Sequence, residues 1–198
     1  VGVTTAQVKE FLGQAHRKLG MTASFGAAQF GEATAYPHGV PYEQTLQHGD
    51  MVLIDMGTKV GGYCSDITRT YVFGEPTQRQ REIWNLEKKA QLAGFAAAQL
   101  GAPCENVDFA ARSVIEAAGY GPGYKVPGLP HRTGHGIGLQ IHEGPYLVRG
   151  DKTVLAPGMC FSNEPMIVIP DAFGVRLEDH MYITDDGAAW FTQPSPSI

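Results

Sequence analysis

The 198-residue chain is 43% hydrophobic and carries a formal net charge of −5 at pH 7. A net negative charge gives no electrostatic support to a nucleic-acid partner, and no run of 18 apolar residues indicates a membrane span. The first residues lack the basic and apolar regions of a signal peptide. Three dispersed cysteines fit neither a disulfide scaffold nor a CxxC zinc site. We therefore expect a cytoplasmic globular protein with one substantial core.

The first third of the chain combines helix, strand and loop signals. A capping box at Thr4 and Gln7 predicts a helix that ends near Gly20. Alternation of small and apolar residues over Thr22–Gln29 weakly indicates a strand. The segment AYPHGVP follows, and its two prolines stiffen the loop around His38. A loop histidine by itself is more often solvated than catalytic, so the position needs support from elsewhere.

Two apolar runs in the next segment each carry an aspartate. Asp55 directly follows Val52–Ile54, and Asp66 directly precedes Ile67–Phe73. A short glycine-containing connection between the runs predicts an antiparallel hairpin, which would bring the two carboxylates close together. A carboxylate in an apolar strand is costly unless it is paired or bound to a cation. The alternative is that both aspartates simply end strands near a turn.

Two helices are predicted after this hairpin. Thr77 and Gln80 form a capping box for a helix that reaches about Leu100, and a further helix starts after Pro103 and ends near Gly119. Four charged residues on these helices are expected on solvated faces: Glu87, Lys88, Arg112 and Glu116.

A histidine-rich segment, HRTGHGIGLQIHEGP, follows a loop rich in glycine and proline. It places three histidines within twelve residues, at His131, His135 and His142. Its alternating glycines lack the lysine of a phosphate loop. They fit a strand or loop that another backbone or a ligand approaches closely. The segment therefore indicates a polar site for metal binding or catalysis.

Acidic residues interrupt the remaining β-prone runs as well, at Glu164 and Glu178. Together with Asp55, Asp66 and His135, they form a set of four carboxylates and one imidazole. Two divalent cations would neutralise this set, and a water that bridges them would lose a proton near neutral pH and act as nucleophile. Such a ligand set favours Mn²⁺, with Co²⁺, Fe²⁺ or Zn²⁺ feasible. We expect a single α+β catalytic domain over residues 1–198, with a curved antiparallel sheet backed by helices.

These motifs resemble those of the metallopeptidases with the pita-bread (creatinase/aminopeptidase) fold, which include methionine aminopeptidases, aminopeptidase P and prolidase. The matching segments span about residues 36–184. They are PHGVP, VLIDMG, SDITRT, GHGIGLQIHE, SNEPMI and RLEDHMYIT. Their order, and the ten residues that separate the two aspartates, make the match specific. The resemblance implies two similarly built halves, related by a pseudo-twofold axis, that face one cleft.

The resemblance also implies the roles of the five clustered residues. Asp55 is expected to chelate one metal ion. Asp66 and Glu178 are expected to bridge both ions. His135 and Glu164 are expected to bind the other ion, and Glu164 is also the expected proton acceptor from the bridging water.

Four further positions carry over as substrate-handling residues. His38 and His142 resemble the two cleft histidines that hold the substrate and stabilise the tetrahedral intermediate. His131 and Arg176 are typical of the proline-specific branch and are expected near the proline side of the scissile bond. For His131, the alternative is a packed loop residue.

Arg176 has more than one possible role. It could pair with a substrate carboxylate or orient Glu178. A structural ion pair with Asp179 or Asp171 is the alternative.

The expected activity is hydrolysis of the Xaa-Pro bond in dipeptides, as in prolidase, so the expected partner is a peptide with proline at the second position. Aminopeptidase P, methionine aminopeptidase and a non-catalytic binding module are the alternatives. Prolidase and aminopeptidase P usually carry an additional N-terminal domain that this sequence lacks, which predicts either a fragment or a short family member. Because that domain supports dimerisation in relatives, a homodimer remains an open expectation.

Overall fold

The computed structural model describes residues 1–21 and 23–198 and contains α-helices and antiparallel strands in these ranges. The helices are α1 Thr5–Lys18, α2 Gln78–Ala97 and α3 Glu105–Ala117, with a short 3-10 helix at Gly31–Ala35. The first strands are β1 Ala23–Phe30, β2 Met51–Val60, β3 Tyr63–Cys64, β4 Ile67–Val72, β5 Gly134–Gly136 and β6 Glu143–Leu147. The remaining strands are β7 Cys160–Asn163, β8 Met166–Ile169, β9 Phe173–Arg176, β10 Asp179–Thr184 and β11 Gly187–Trp190.

The strands form three hydrogen-bonded sheets, which confirms the predicted α+β class. In the first sheet β2 pairs with β1, β3 and β4, and in the second the order is β11-β10-β7-β5-β6. Strands β8 and β9 form a separate pair. An isolated bridge between Thr68 and Glu178 joins the first two sheets. The single curved sheet expected from the sequence is therefore divided, and the first two sheets meet at this bridge.

Helix α1 begins at the predicted capping box, in which Thr4 accepts a hydrogen bond from the backbone of Gln7. The helix buries none of its residues, and 66% of the Phe11 surface is exposed. The apolar periodicity therefore predicted the helix correctly, but the apolar residues of the helix are not buried in the core. The strand predicted from residue 22 is β1, and Thr22 itself lies outside the described residues.

The main core lies between helices α2 and α3 and the strands that they cover. Ile83, Trp84, Ile115, Ile167 and Leu177 are buried together in one cluster. The indole N–H of Trp84 donates to the Thr70 carbonyl at 2.8 Å, so α2 is attached directly to β4. A second, smaller cluster packs around Phe161 and Met181, near β7 and β10. Both clusters lie behind strands that carry the acidic residues.

The prediction that all four charged helix residues are solvated was wrong for Arg112 and for Glu87. Glu116 is exposed and Lys88 is partly buried, but Arg112 is only 8% exposed. Arg112 pairs with Asp108 at 3.0 Å and donates to three backbone carbonyls, including that of His131 at 2.8 Å. Because each buried donor finds a partner, the charge is tolerated inside the fold. The ion pair thereby holds the loop that follows α3.

Glu87 on α2 is fully buried, and neither of its carboxyl oxygens has a hydrogen-bond partner among the described residues. Burial raises the pKa of this carboxyl well above its usual range. The Leu177 backbone, Lys88 and Arg176 offset this rise only in part. A buried acid with incomplete compensation lowers the stability of the fold.

We expect Glu87→Leu to increase the free energy of unfolding by about 1–3 kcal/mol at pH 8 and by less at pH 5. Burial raises the pKa of Glu87 in the folded chain above that of the unfolded chain, so the folded chain resists ionisation of this carboxyl as pH rises. Stability therefore falls as pH rises above the unfolded pKa, and the substitution removes this loss. Urea unfolding at both pH values measures the effect.

The matched control is Glu82→Leu, at an exposed position of the same helix. It is expected to change the free energy of unfolding by less than about 0.5 kcal/mol, equally at both pH values. An equal gain from Glu87→Leu at pH 5 and pH 8 would contradict a buried neutral acid.

Candidate metal centre and active site

The bridge between the first two sheets brings three of the predicted carboxylates together. Asp55 lies on β2 opposite Thr68, and Asp66 immediately precedes β4. The Glu178 N–H donates to the Thr68 carbonyl at 3.1 Å, and the Thr68 hydroxyl donates to Glu178 Oε2 at 2.7 Å. One threonine thus positions both the backbone and the carboxylate of Glu178 beside the hairpin that carries the aspartates.

The second sheet contributes His135 and Glu164 through close backbone contacts. A Cβ atom on Gly134 would lie 2.1 Å from the Ser162 carbonyl oxygen, so this position requires glycine. The His135 N–H donates to Ser162 Oγ at 3.1 Å, and this hydroxyl donates to Glu164 Oε1 at 3.2 Å. The expected close backbone approach is therefore confirmed, and it orients both predicted ligands.

Potential ligand atoms gather in three overlapping sets. Within each set the atoms lie within 4.8 Å of one another: Asp55 with Asp66 and Glu178, His135 with Glu164 and Glu178, and Asp66 with His135 and His142. Glu178 belongs to both of the first two sets, as a bridging carboxylate would. The third set brings His142 within the same range, although the sequence assigned it to the substrate.

The donor chemistry of this cluster fits divalent cations. Four buried side-chain atoms have no hydrogen-bond partner among the described residues: Asp55 Oδ1, Asp66 Oδ1, His135 Nε2 and Glu178 Oε1. His135 Nδ1 lies 3.0 Å from the Gly136 carbonyl, so this nitrogen carries the proton. The lone pair of Nε2 then lies 3.2 Å from Glu164 Oε1 with no proton between them. A cation satisfies two facing acceptors, whereas no polar group of the protein does.

The electrostatics of the cluster lead to the same conclusion. Burial, followed by the charges of Asp55 and Glu164, raises the pKa of Asp66 to about 8. Burial and the neighbouring carboxylates also raise the pKa of Glu178 well above its usual range. Arg176 lowers both values but does not balance the rise. Four carboxylates with one arginine lack positive charge, and divalent cations would supply it.

The cluster opens into a cleft of about 380 Å³. The exposed side chains of His38 and His142 and the partly buried side chain of His131 line it. His135 lies behind this lining, 1% exposed, with its ring edge-on to that of His142 at 4.3 Å between centroids. The structure therefore brings the three predicted substrate histidines to the same cleft as the candidate metal ligands. The Nδ1 atom of His131 lies 2.6 Å from the Arg132 carbonyl.

Arg176 has an ion-pair partner that the sequence did not indicate. Its guanidinium donates to Asp55 Oδ2 at 2.6 Å. Among the described residues no ion pair joins it to Asp179 or Asp171, so that alternative was wrong. Asp179 instead pairs with Arg69 at 2.6 Å. The charge of Arg176 is thus directed towards a candidate ligand.

Arg176 also reaches Glu178 through one intermediate. Its Nε atom donates to the Thr68 hydroxyl oxygen at 3.1 Å, and that hydroxyl donates to the Glu178 carboxylate. This contact supports the expected orienting role of Arg176. The expected role in substrate binding stays a prediction.

Sequence analysis missed three polar residues that support the cluster. Each lies two residues from a candidate ligand along the chain: Thr68, Ser162 and His180. His180 Nε2 accepts a hydrogen bond from the Asp66 N–H at 3.1 Å. In extended chain, residues two apart share a face. Polar residues at this spacing from an acidic residue were therefore an available but unused signal.

An α+β fold with a carboxylate and histidine cluster suited to divalent cations defines the class as a metallohydrolase. The chain belongs to metallopeptidase family M24, whose family model matches residues 1–185. Membership implies divalent metal ions, in agreement with the donor chemistry of the cluster. No helix in the described part of the chain has the length and apolar character needed to cross a bilayer.

Individual relatives narrow the likeness to proline-specific peptidases. The Xaa-Pro dipeptidase of Lactobacillus helveticus is 45% identical over 170 residues, which cover 86% of this chain and 45% of the relative. The prolidase structure from Pyrococcus furiosus has a TM-score of 0.88 and 36% sequence identity. The match covers 98% of this chain and 57% of the Pyrococcus furiosus chain. The X-Pro aminopeptidase structure from Thermotoga maritima has a TM-score of 0.92 and 30% identity, with coverage of 100% and 55%. The chain spans about half the length of the curated relatives that it matches.

Gly134→Ala is expected to lower the free energy of unfolding by about 3 kcal/mol and to weaken Mn²⁺ binding. The added methyl group would lie 2.1 Å from the Ser162 carbonyl oxygen. To relieve this clash, strand β5 would have to shift, and the shift would displace His135. Urea unfolding and calorimetric titration with Mn²⁺ measure the two effects.

Gly13→Ala on α1 is the control, since its Cβ would meet only the flexible end of Arg17 at 3.4 Å. It is expected to raise the free energy of unfolding by up to about 1 kcal/mol, because alanine has the higher helix propensity, and to retain metal affinity. Wild-type metal affinity in Gly134→Ala would show that the close approach does not position His135.

Proposed function

We propose that this chain is a dinuclear metal-dependent peptidase that hydrolyses the Xaa-Pro bond of dipeptides, as prolidases do. The observation that carries the proposal is the position of Glu178 in two ligand sets within a cleft lined by three histidines. Membership of family M24 and the likeness to Xaa-Pro dipeptidases support it. Aminopeptidase P activity on longer peptides is the second candidate, supported by the likeness to the X-Pro aminopeptidase of Thermotoga maritima.

The finer features belong to the same proposal. We propose a pita-bread fold with pseudo-twofold halves, one catalytic domain over residues 1–198, and Mn²⁺ as the favoured ion, with Co²⁺, Zn²⁺ or Fe²⁺ as alternatives. A cytoplasmic location and a homodimer are likewise proposals. Three cysteines without a disulfide support the first of these.

Five side chains would hold the two ions. Asp55, Asp66 and Glu178 are proposed around one ion, and Asp66, Glu178, His135 and Glu164 around the other, so that Asp66 and Glu178 would be shared. When bound, two divalent cations lower the pKa of a water molecule and polarise the scissile carbonyl. Thr68 and Ser162 keep the Glu178 and Glu164 carboxylates oriented, because each hydroxyl donates to one of them.

Glu164 is the proposed proton acceptor. Burial alone would raise the pKa of this carboxyl, but the neighbouring His131 and Arg176 lower it. The carboxylate is therefore ionised at neutral pH and able to accept a proton from the attacking water. This arrangement keeps the base ionised beside neighbouring acids whose pKa values are raised.

The cleft histidines are proposed to handle the reacting peptide. Burial, followed by His135 and Arg132, lowers the pKa of His142, so its ring is neutral at pH 7. A neutral imidazole N–H can donate to the developing oxyanion, and His38 stands at the same cleft. His131 is proposed to contact the proline side of the bond, where its backbone is held by Arg112.

The Mn²⁺-loaded chain is expected to hydrolyse Ala-Pro and to leave Arg-Pro-Pro largely intact, as measured by release of free amino acids. Cleavage of Arg-Pro-Pro at a rate comparable to that of Ala-Pro would favour aminopeptidase P activity. Bound metal together with no cleavage of either peptide would refute the proposed activity for this chain.

Substitutions should separate metal binding from substrate handling. Asp66→Ala and Glu178→Ala are expected to lose both Mn²⁺ affinity and activity. His142→Ala is expected to keep Mn²⁺ affinity and to lower kcat about 100-fold or more. Calorimetry with Mn²⁺ and steady-state kinetics provide the two readouts, and a His142→Ala protein without metal affinity would instead make His142 a ligand.

A further inference from the structure

Two arginines line the cleft, and among the described residues only Arg176 has an acidic partner. Arg176 is 5% exposed and donates to Asp55 at 2.6 Å, to Thr68 and to the Pro37 carbonyl. A substrate that paired with Arg176 would compete with these contacts. For Arg132, by contrast, no ion pair occurs within the ranges 1–21 and 23–198. Its positive charge is therefore available at the cleft.

The guanidinium of Arg132 lies over the ring of Tyr146, 4.8 Å from its centroid. Tyr146 is the cross-strand partner of His135 in the β5–β6 pair. Directly opposed residues of antiparallel strands project from the same face of a sheet. Arg132 therefore stands on the face that carries a candidate metal ligand, supported by an aromatic ring that leaves its N–H groups free to bind.

The backbone on both sides of Arg132 is held by one buried ion pair. The His131 carbonyl accepts from Arg112 at 2.8 Å. The N–H and hydroxyl of Thr133 donate to Asp108 Oδ1 at 3.1 and 2.7 Å. The fixed backbone and the contact of the guanidinium with the Tyr146 ring together reduce the conformational freedom that Arg132 would lose on binding. The α3 ion pair thus presents Arg132 to the cleft in a defined position.

We infer that Arg132 recognises a carboxylate of the substrate peptide, and this rests on the proposed peptidase function. The four carboxylates of the cleft would be balanced by the proposed metal ions and by Arg176, which leaves the charge of Arg132 for an anionic group of the peptide. The planar fork of arginine matches a carboxylate in two parallel hydrogen bonds. A Xaa-Pro dipeptide carries such a group at its proline terminus, and also in the side chain of an acidic first residue. Both sources have the same chemistry and are separable by experiment.

Four substrates distinguish the two sources: Ala-Pro, Ala-prolinamide, Glu-Pro and Glu-prolinamide. Arg132→Met is expected to raise KM by about 10- to 100-fold for peptides with the recognised carboxylate, with kcat little changed. Arg132→Lys is expected to restore part of this loss because it keeps the charge without the fork. Arg149→Met, at an exposed arginine outside the cleft, is the matched control and is expected to leave every KM unchanged.

The pattern of the loss identifies the group. A loss on Ala-Pro and Glu-Pro but on neither amide assigns Arg132 to the proline carboxylate. A loss on both glutamyl peptides but on neither alanyl peptide assigns it to the acidic side chain. An unchanged KM for all four, or an equal increase for all four, would overturn the inference.

Calorimetric binding of the same peptides to the Mn²⁺-loaded chain separates this inference from the proposed function. Wild-type protein that hydrolyses none of the four would refute the peptidase proposal, while the binding comparison still tests Arg132. Equal affinities of wild type and Arg132→Met for all four peptides would refute the role of Arg132. Weaker binding restricted to one source of carboxylate would support it.

Discussion

The mutual repulsion of four carboxylates at the meeting of two sheets is the constraint on which the rest of the structure depends. Asp55, Asp66, Glu164 and Glu178 are drawn into one cleft, where Arg176 is their only ion-paired arginine among the described residues. Such a cluster is stable only if hydrogen-bond donors and cations offset the charge. The surrounding strands supply the donors, and divalent cations would complete the balance.

The support for this cluster lies in the backbone as much as in the side chains. Gly134 lets β5 approach β7 closely enough for Ser162 to bond to His135, and the Thr68 bridge joins Glu178 to the hairpin. The Asp108–Arg112 pair holds the loop that precedes β5. These contacts position the backbone of His135 and one carboxylate oxygen of Glu178, while His135 Nε2 and Glu178 Oε1 have no hydrogen-bond partner among the described residues.

Three charged residues of this protein differ in burial and in partners, and they differ accordingly in their effects on the structure. Arg112 is buried with every contact satisfied and acts on the loop around His131. Glu87 is buried without such partners and lowers stability. Arg132 stays at the cleft without an acidic partner, which suits a residue that meets an anionic group of the substrate. Burial and partner together, rather than residue type, decide these roles.

The sequence by itself determined much of the local structure and predicted which residues would lie together in the candidate site. The capping boxes at Thr4 and Thr77 mark where two helices begin, through contacts between residues three positions apart. The hairpin that carries Asp55 and Asp66 follows from two adjacent β-prone runs. Such features depend on neighbours in the chain, so pattern reveals them. The five candidate ligands were likewise predicted, and the structure brings them together, while their roles in binding metal remain proposals.

Only the tertiary structure decided which charges meet. Arg176 pairs with Asp55, 121 residues away in the chain, rather than with its near neighbour Asp179. Helical periodicity placed Arg112 on a solvated face because it carries no information about the loop that later covers that face. Contacts between distant segments arise from the packing of whole elements, and local pattern does not encode them.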